Sequence, residues 1–222
     1  MGTDPSVVLH CSQFAMELFW LMWRTTAQES NAMIITPGQL ISASWLLLAA
    51  YWFIAAAGSK KPMKKENAAE RIAHILFLGV GFFLLYGDAL RFGVLNQRFL
   101  PVELWIAWLG AVLTLAGALF AIWARHTIGK EWSAEVQIKE GHRLIRSGPY
   151  AHIRHPIYTG LLLALIGTAV AIGEYRAIVG VAMFLIGFAR KAKKEERFLA
   201  GQFGPAFDEH RSRTGFFLPR FT

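Results

Sequence analysis

From Pro37 to Ala57 the chain runs without a charged residue, and that run decides most of what it can fold into. About 20 consecutive apolar residues in a helix cross a hydrocarbon core of about 30 Å. Four further apolar runs follow, at about Ile72 to Leu95, Val102 to Ala124, Ile157 to Ile172 and Tyr175 to Ala189, parted by turn residues or charge clusters. The expectation is an all-α integral membrane protein of about five transmembrane helices. The last two are expected to form a short helical hairpin turning at Gly173 and Glu174, with one long bent helix as the alternative. Composition agrees, with 55% hydrophobic and 17% charged residues among 222.

The net charge of +8 raises the question of nucleic acid, but the positions of the charges argue against it. Lys60, Lys61, Lys64, Lys65 and Arg71 follow the first run. Arg125, Lys130, Lys139, Arg143, Arg146 and Arg154 follow the third, and Arg190, Lys191, Lys193, Lys194 and Arg197 follow the fifth. With alternating spans, all three clusters fall on one side, while only Arg24, Arg98 and Arg176 lie near the other. The positive-inside rule then places the amino terminus outside and the carboxyl terminus in the cytoplasm. The membrane is a bacterial or archaeal cell membrane, or the endoplasmic reticulum of a eukaryote. Anionic headgroups account for clusters of this kind without any further role.

Residues 1–222 read as a single membrane domain. The segment 10–35 is expected to lie in the outer interface, since Phe14 to Trp23 is aromatic and apolar but too short to span. Residues 36–124 hold three anchoring spans, and 125–222 hold the working region with spans four and five. Met1 to His10 lacks a basic leader, so no cleavable signal is expected. The single cysteine, Cys11, excludes an internal disulfide framework, and metal chemistry is not expected. Glycines recur at seven-residue spacing, Gly110 with Gly117, Gly160 with Gly167 and Gly180 with Gly187, giving each helix a face for close packing or for a ligand's approach. Asp88 and Arg91, three residues apart inside the second run, are expected to neutralise each other.

The segment from Gly148 to Gly160 is where chemistry is expected, because a polar, basic turn runs straight into an apolar helix. Pro156 lacks an N–H and has its φ preset, so it suits the first turn of a helix and disfavours helix at His155. Arg154 and His155 therefore belong at a helix mouth, where the dipole favours an anion. Glu195 and Glu196, on the far side of the last span, provide the opposite charge. Each group alone also fits an ordinary role, in lipid-phosphate contact or on a solvated helix face.

Taken together, Thr127 to Ser133, the Arg-His-Pro-x-Tyr-x-Gly pattern at Arg154 to Gly160, and Arg190 with the paired glutamates resemble the isoprenylcysteine carboxyl methyltransferase family, also related to phospholipid methyltransferases. Gly141-His142 and Leu144, leading into Gly148-Pro149-Tyr150, add to the match, which covers roughly Ala121 to the end. The resemblance implies a membrane methyltransferase that uses S-adenosylmethionine. It assigns cofactor binding to His142, Leu144, Gly148, Tyr150, Arg154, His155, Pro156, Tyr158, Gly160, Glu195 and Glu196. Arg154 or His155 would take the cofactor carboxylate, Glu195 or Glu196 its ammonium or a ribose hydroxyl, and Tyr150 or Tyr158 would supply aromatic surface.

The tail departs from the family pattern, which has two tyrosines after Phe-Gly; here Phe203-Gly204 precede Phe207 and His210. Thr214 to Pro219 resembles the family's closing segment, an aromatic-rich return to the membrane surface. Methyl transfer from a sulfonium is an in-line displacement needing alignment rather than a covalent nucleophile. A carboxylate acceptor would be oriented by Arg190 or Arg197, whereas an amine needs a base, for which His210 is the candidate. The implied partners are a lipid or prenylated acceptor and the bilayer, with no nucleic acid. Phospholipid amine methylation is the alternative within this chemistry, a sterol-type reductase lacks a dinucleotide fingerprint here, and a non-catalytic scaffold or transporter is the alternative of another class.

Overall fold

The computed structural model describes residues 35–56, 68–87, 93–129 and 144–220. Six helices organise them: α1 (Pro37–Ala56), α2 (Ala68–Tyr86), α3 (Leu104–Ile128), α4 (Pro156–Ile172), α5 (Tyr175–Phe203) and α6 (Pro205–Arg213), with single 3-10 turns at Gly93–Asn96 and Gly148–Ala151. Among the described residues there is no β-strand, only isolated bridges. The stretches Pro37–Ala55 and Leu104–Ile128 are long and apolar enough to cross a bilayer, while Ile72–Tyr86 and Pro156–Ile172 are apolar but shorter.

Local chemistry sets the helix ends. Thr36 Oγ1 accepts from the Gln39 N–H at 3.2 Å and Gln39 Oε1 accepts from the Thr36 N–H at 2.9 Å, a reciprocal cap with Pro37 in the first turn. Gly173, at φ 69, turns α4 off in the left-handed region, and Gly204, at φ 50, separates α5 from Pro205 at the start of α6.

The second apolar run stops being helical sooner than expected, at Tyr86 rather than Leu95. The expected Asp88–Arg91 pair and the 10–34 part of the interfacial segment lie outside the described residues. The fifth run is corrected in the other direction: α5 continues from Ala189 to Phe203. Its apolar signal ends at Ala189, but the Arg, Lys, Ala, Glu and Leu that follow are good helix formers, and nothing breaks the helix before Gly204-Pro205.

Helices α3 and α4 pack through their glycines. A methyl group on Gly110 would lie 2.6 Å from the Gly167 carbonyl oxygen, and one on Gly117 would lie 2.3 Å from the Ala164 nitrogen and 2.6 Å from the Gly160 oxygen. The two glycine pairs thus face one another, and backbone meets backbone. Thr114 and Thr168 share the interface at 3.3 Å between hydroxyls, and the Trp45 indole N–H donates to Thr168 Oγ1 at 3.1 Å, tying α1 to α4. Helices α2 and α5 meet around Gly81, Gly180, Leu85 and Leu78.

Two buried arginines join the helix ends. Arg125 donates to the Gly129 oxygen at 2.8 Å and the Ala55 oxygen at 3.2 Å, so α1 and α3 finish together. Arg176 donates to the oxygens of Leu84, Leu85 and Gly87 at 3.2, 3.3 and 3.1 Å, placing the start of α5 beside the end of α2. Cations at helix C-termini answer the exposed carbonyls and the dipole. Successive long helices therefore alternate in direction.

Candidate functional site

Gly148, at φ 57, opens the 3-10 turn that buries Tyr150. The chain then extends through Ile153, which pairs in parallel with Gly215 of the carboxyl-terminal segment. The Gly215 N–H donates to the His152 oxygen at 2.9 Å, the Arg154 N–H to the Gly215 oxygen at 2.9 Å and the His155 N–H to the Phe216 oxygen at 3.3 Å. With these main-chain groups spent, the side chains of Arg154 and His155 turn towards α5.

There they meet both glutamates. Arg154 Nε lies 2.6 Å from Glu196 Oε1, and His155 Nε2 lies 3.3 Å from the same oxygen. His155 Nδ1 lies 3.5 Å from Glu195 Oε2, and the Tyr158 hydroxyl donates to Glu195 Oε1 at 2.6 Å. The side chain of His155 is 5% exposed and that of Glu196 15%, so these charges interact largely out of water. The guanidinium of Arg154 also donates to the main-chain oxygens of Thr214 and Arg211, the latter at 3.0 Å, where α6 ends.

Burial opposes ionisation of His155, yet hydrogen bonds and charge from Glu195 and Glu196 raise its pKa above the ordinary histidine value. A neutral imidazole has one N–H, whereas both nitrogens here face carboxylates, so the imidazolium matches the geometry. Burial likewise disfavours the charged form of Glu196, but His155 and Arg154 overcome it and hold its pKa at about 2. Two cations and two anions thus make a charge-neutral quartet. The Tyr150 phenol is pushed up by burial and by Glu195, against a smaller opposing effect of Arg125, and stays neutral.

Aromatic rings close one side of this quartet. Tyr158 stacks on Phe188 at 5.1 Å and on His155 at 5.9 Å, and Phe216 meets His155 edge-on at 5.0 Å. The Arg154 guanidinium carbon sits 5.8 Å from the Phe216 ring centre. Thr159 Oγ1 donates to the Phe217 oxygen at 2.7 Å, pinning the tail over the start of α4.

Of the residues expected at the site, the fold brings Arg154, His155, Tyr158, Glu195 and Glu196 into direct contact, with Tyr150 buried beside them and Leu144 half-buried in the approach to the turn. Pro156 is fully buried in the first turn of α4. Gly160 faces α3, where a methyl would lie 2.5 Å from the Ala121 nitrogen, in close helix contact. Arg190 and Arg197 are exposed on α5 and do not join the quartet. One helical turn of 3.6 residues puts them on the side opposite the buried Phe188 and Ala192. His210 is buried, and burial together with Arg146 and Arg154 lowers its pKa, so it is neutral at neutral pH. His142 lies outside the described residues.

Sequence reasoning missed Phe188 and Thr159. Phe188 lies seven residues before Glu195 on one face of α5, a spacing that could have revealed it. The carbonyls of Arg211, Thr214 and Phe217 carry no side-chain signal.

These parts lie on one continuous segment that can be compared with known proteins. Residues 108–201 match the isoprenylcysteine carboxyl methyltransferase (ICMT) family. The ICMT match contains Arg154, His155, Tyr158, Glu195 and Glu196 and ends before His210 and the Thr214–Phe217 strap. The cobalt-zinc-cadmium resistance protein CzcN of Cupriavidus metallidurans is 34% identical over 118 residues, 52% of this chain and 53% of that protein. A probable protein-S-isoprenylcysteine O-methyltransferase of Oryza sativa subsp. indica is 29% identical over 121 residues, 53% of this chain and 63% of that protein. The chain therefore spans about half to under two thirds of these curated relatives. The solved structure of the eukaryotic intramembrane Ras methyltransferase ICMT superposes with a TM-score of 0.56 at 16% identity, covering 98% of this chain and 87% of that one. The ICMT-like fold is shared.

Proposed function

We propose that this chain is an integral membrane methyltransferase that uses S-adenosylmethionine and methylates a carboxylate on a lipid-borne acceptor of the isoprenylcysteine kind. The neutral quartet of Arg154, His155, Glu195 and Glu196 carries the reading. The amino-acid end of this cofactor bears one carboxylate and one ammonium, so it can exchange partners with the quartet without leaving a buried charge unpaired. Arg154 and His155 would hold the carboxylate, Glu195 or Glu196 the ammonium or a ribose hydroxyl, and Tyr158 would offer its ring. When bound, the cofactor supplies a methyl group on a cationic sulfur. The residues of this chain align, shield from water and balance charge; no covalent nucleophile is needed.

A five-span topology with the quartet and carboxyl terminus in the cytoplasm fits the basic clusters and the alternating helix directions. It makes 1–222 one membrane domain, with 125–222 the catalytic region. A greasy acceptor then enters from the bilayer while the soluble cofactor arrives from the cytoplasm. The names of the rice relative and of the superposed structure support a carboxylate acceptor.

Titration calorimetry with S-adenosylhomocysteine tests the cofactor: micromolar binding to the folded protein, weakened at least tenfold by Glu196→Gln, is expected. No binding to a folded protein sinks the proposal. Methyl transfer to a prenylated cysteine analogue is expected, and transfer to phosphatidylethanolamine instead reassigns the acceptor.

A further inference from the structure

We infer that the outward face of α5 is an anionic-lipid site, formed by Arg190, Lys193 and Arg197, that holds the glutamate-bearing end of this helix against the bilayer surface. The inference rests on the reading of α5 as the last span. At about 100° per residue these three side chains fall within about 60° of one another. All three are exposed, whereas Phe188 and Ala192, on the opposite side, are 8% and 0% exposed. The stripe therefore points away from the protein body, back to back with the face carrying Glu195 and Glu196.

Its height along the helix chooses the partner. The apolar part of α5 ends at Ala189 and charges begin at Arg190, so the boundary between hydrocarbon and headgroups falls near Arg190. Arg190 lies at it, and Lys193 and Arg197 lie one and two turns above it. That is the level of the lipid phosphates. A soluble acidic protein would have to enter the headgroup layer to reach all three, while anionic headgroups are already there. Glutamates on the inner face and headgroups on the outer face of the same two turns fix both the depth and the rotation of this helix. Lipid charge and the quartet's geometry are thereby coupled.

The test uses the full chain in phosphatidylcholine nanodiscs with trace spin-labelled phosphatidylglycerol or phosphatidylcholine, reading the motionally restricted fraction of each. A several-fold preference for phosphatidylglycerol is expected, reduced in high salt and lost in the triple variant R190Q/K193Q/R197Q, whose glutamines preserve helix propensity. A preference of the same size in the variant, or none in the wild type, overturns the inference. So does retention of an acidic peptide by the stripe without lipid selection. A nitroxide at Leu185→Cys, with Cys11→Ser, keeps the two readings apart. Relaxation by oxygen rather than by a water-soluble nickel complex marks α5 as a span, so absence of lipid selection then defeats the lipid site alone. The reverse pattern defeats the span, and the lipid site with it.

Discussion

Arg154 and Glu196 are 42 residues apart in the chain and 2.6 Å apart in space, and the same guanidinium caps the end of α6 through the oxygens of Arg211 and Thr214. One side chain therefore links three elements that are distant in sequence: the turn before α4, the carboxyl-terminal half of α5 and the tail.

Replacing Glu196 with glutamine removes the counter-charge of both Arg154 and His155. Loss of one partner from a largely buried pair costs more than the pair contributes, on the order of 1–3 kcal/mol. Glu196→Gln is expected to lower the melting temperature in detergent and to weaken S-adenosylhomocysteine binding at least tenfold by calorimetry. An unchanged affinity would remove Glu196 from the site.

Stability should fall at both ends of the pH scale. The pKa of Glu196 is depressed to about 2, so its contribution is full above the ordinary glutamate value of 4.5 and is lost as pH drops from there towards 2. The pKa of His155 is raised, so its contribution is full below 6.5 and disappears as pH climbs through the folded value. Melting temperature measured against pH should show both limbs, and His155→Gln should erase the alkaline one.

Tyr158 acts through its hydroxyl and through its ring. Tyr158→Phe deletes the 2.6 Å bond to Glu195 and keeps the stack on Phe188, a loss of about 0.5–1.5 kcal/mol, or roughly two- to thirteenfold in cofactor-analogue affinity. Tyr158→Leu should cost more in both affinity and thermal stability, because the stack goes too. Equal effects of the two changes would leave the stack on Phe188 without a role.

At Gly117 a methyl would sit 2.3 Å from the Ala164 nitrogen, so Gly117→Ala forces α3 and α4 apart. Overpacking of about 1–3 kcal/mol is expected. A thermal melt should register it, while the fraction that remains folded should bind S-adenosylhomocysteine with near-normal affinity.

Much of this arrangement was legible in the residues. Apolar runs bounded by charge clusters located most helix bodies, because a membrane helix must satisfy its backbone internally and shed its charges. Seven-residue glycine spacing indicated faces for close approach, and two of those faces meet in the α3–α4 contact. The continuation of α5 beyond Ala189 was not legible from hydropathy, since the periodic signal there passes from apolar bulk to helix propensity. The direction of Gly160 was not legible, because a motif gives proximity in sequence, whereas the helix turns that position towards α3. The same holds for Arg190 and Arg197: closeness to Glu195 and Glu196 along the chain did not reveal that the helix leaves both exposed and outside the quartet.

The strap that closes the site is held almost entirely by its own main chain. Arg154, Thr159 and the backbone N–H groups of Arg154 and His155 bind carbonyl oxygens of residues 211 to 217, and a carbonyl is the same whatever side chain it accompanies. The strap can thus exchange Phe216 or Phe217 and keep these hydrogen bonds, whereas Phe207, 1% exposed, is held by the packing of its own ring. Gly215 is the exception, since a methyl there would fall 1.8 Å from the Leu218 oxygen. A strap attached in this way is a replaceable part: its outward side chains can be rewritten while the ionic quartet beneath stays as it is.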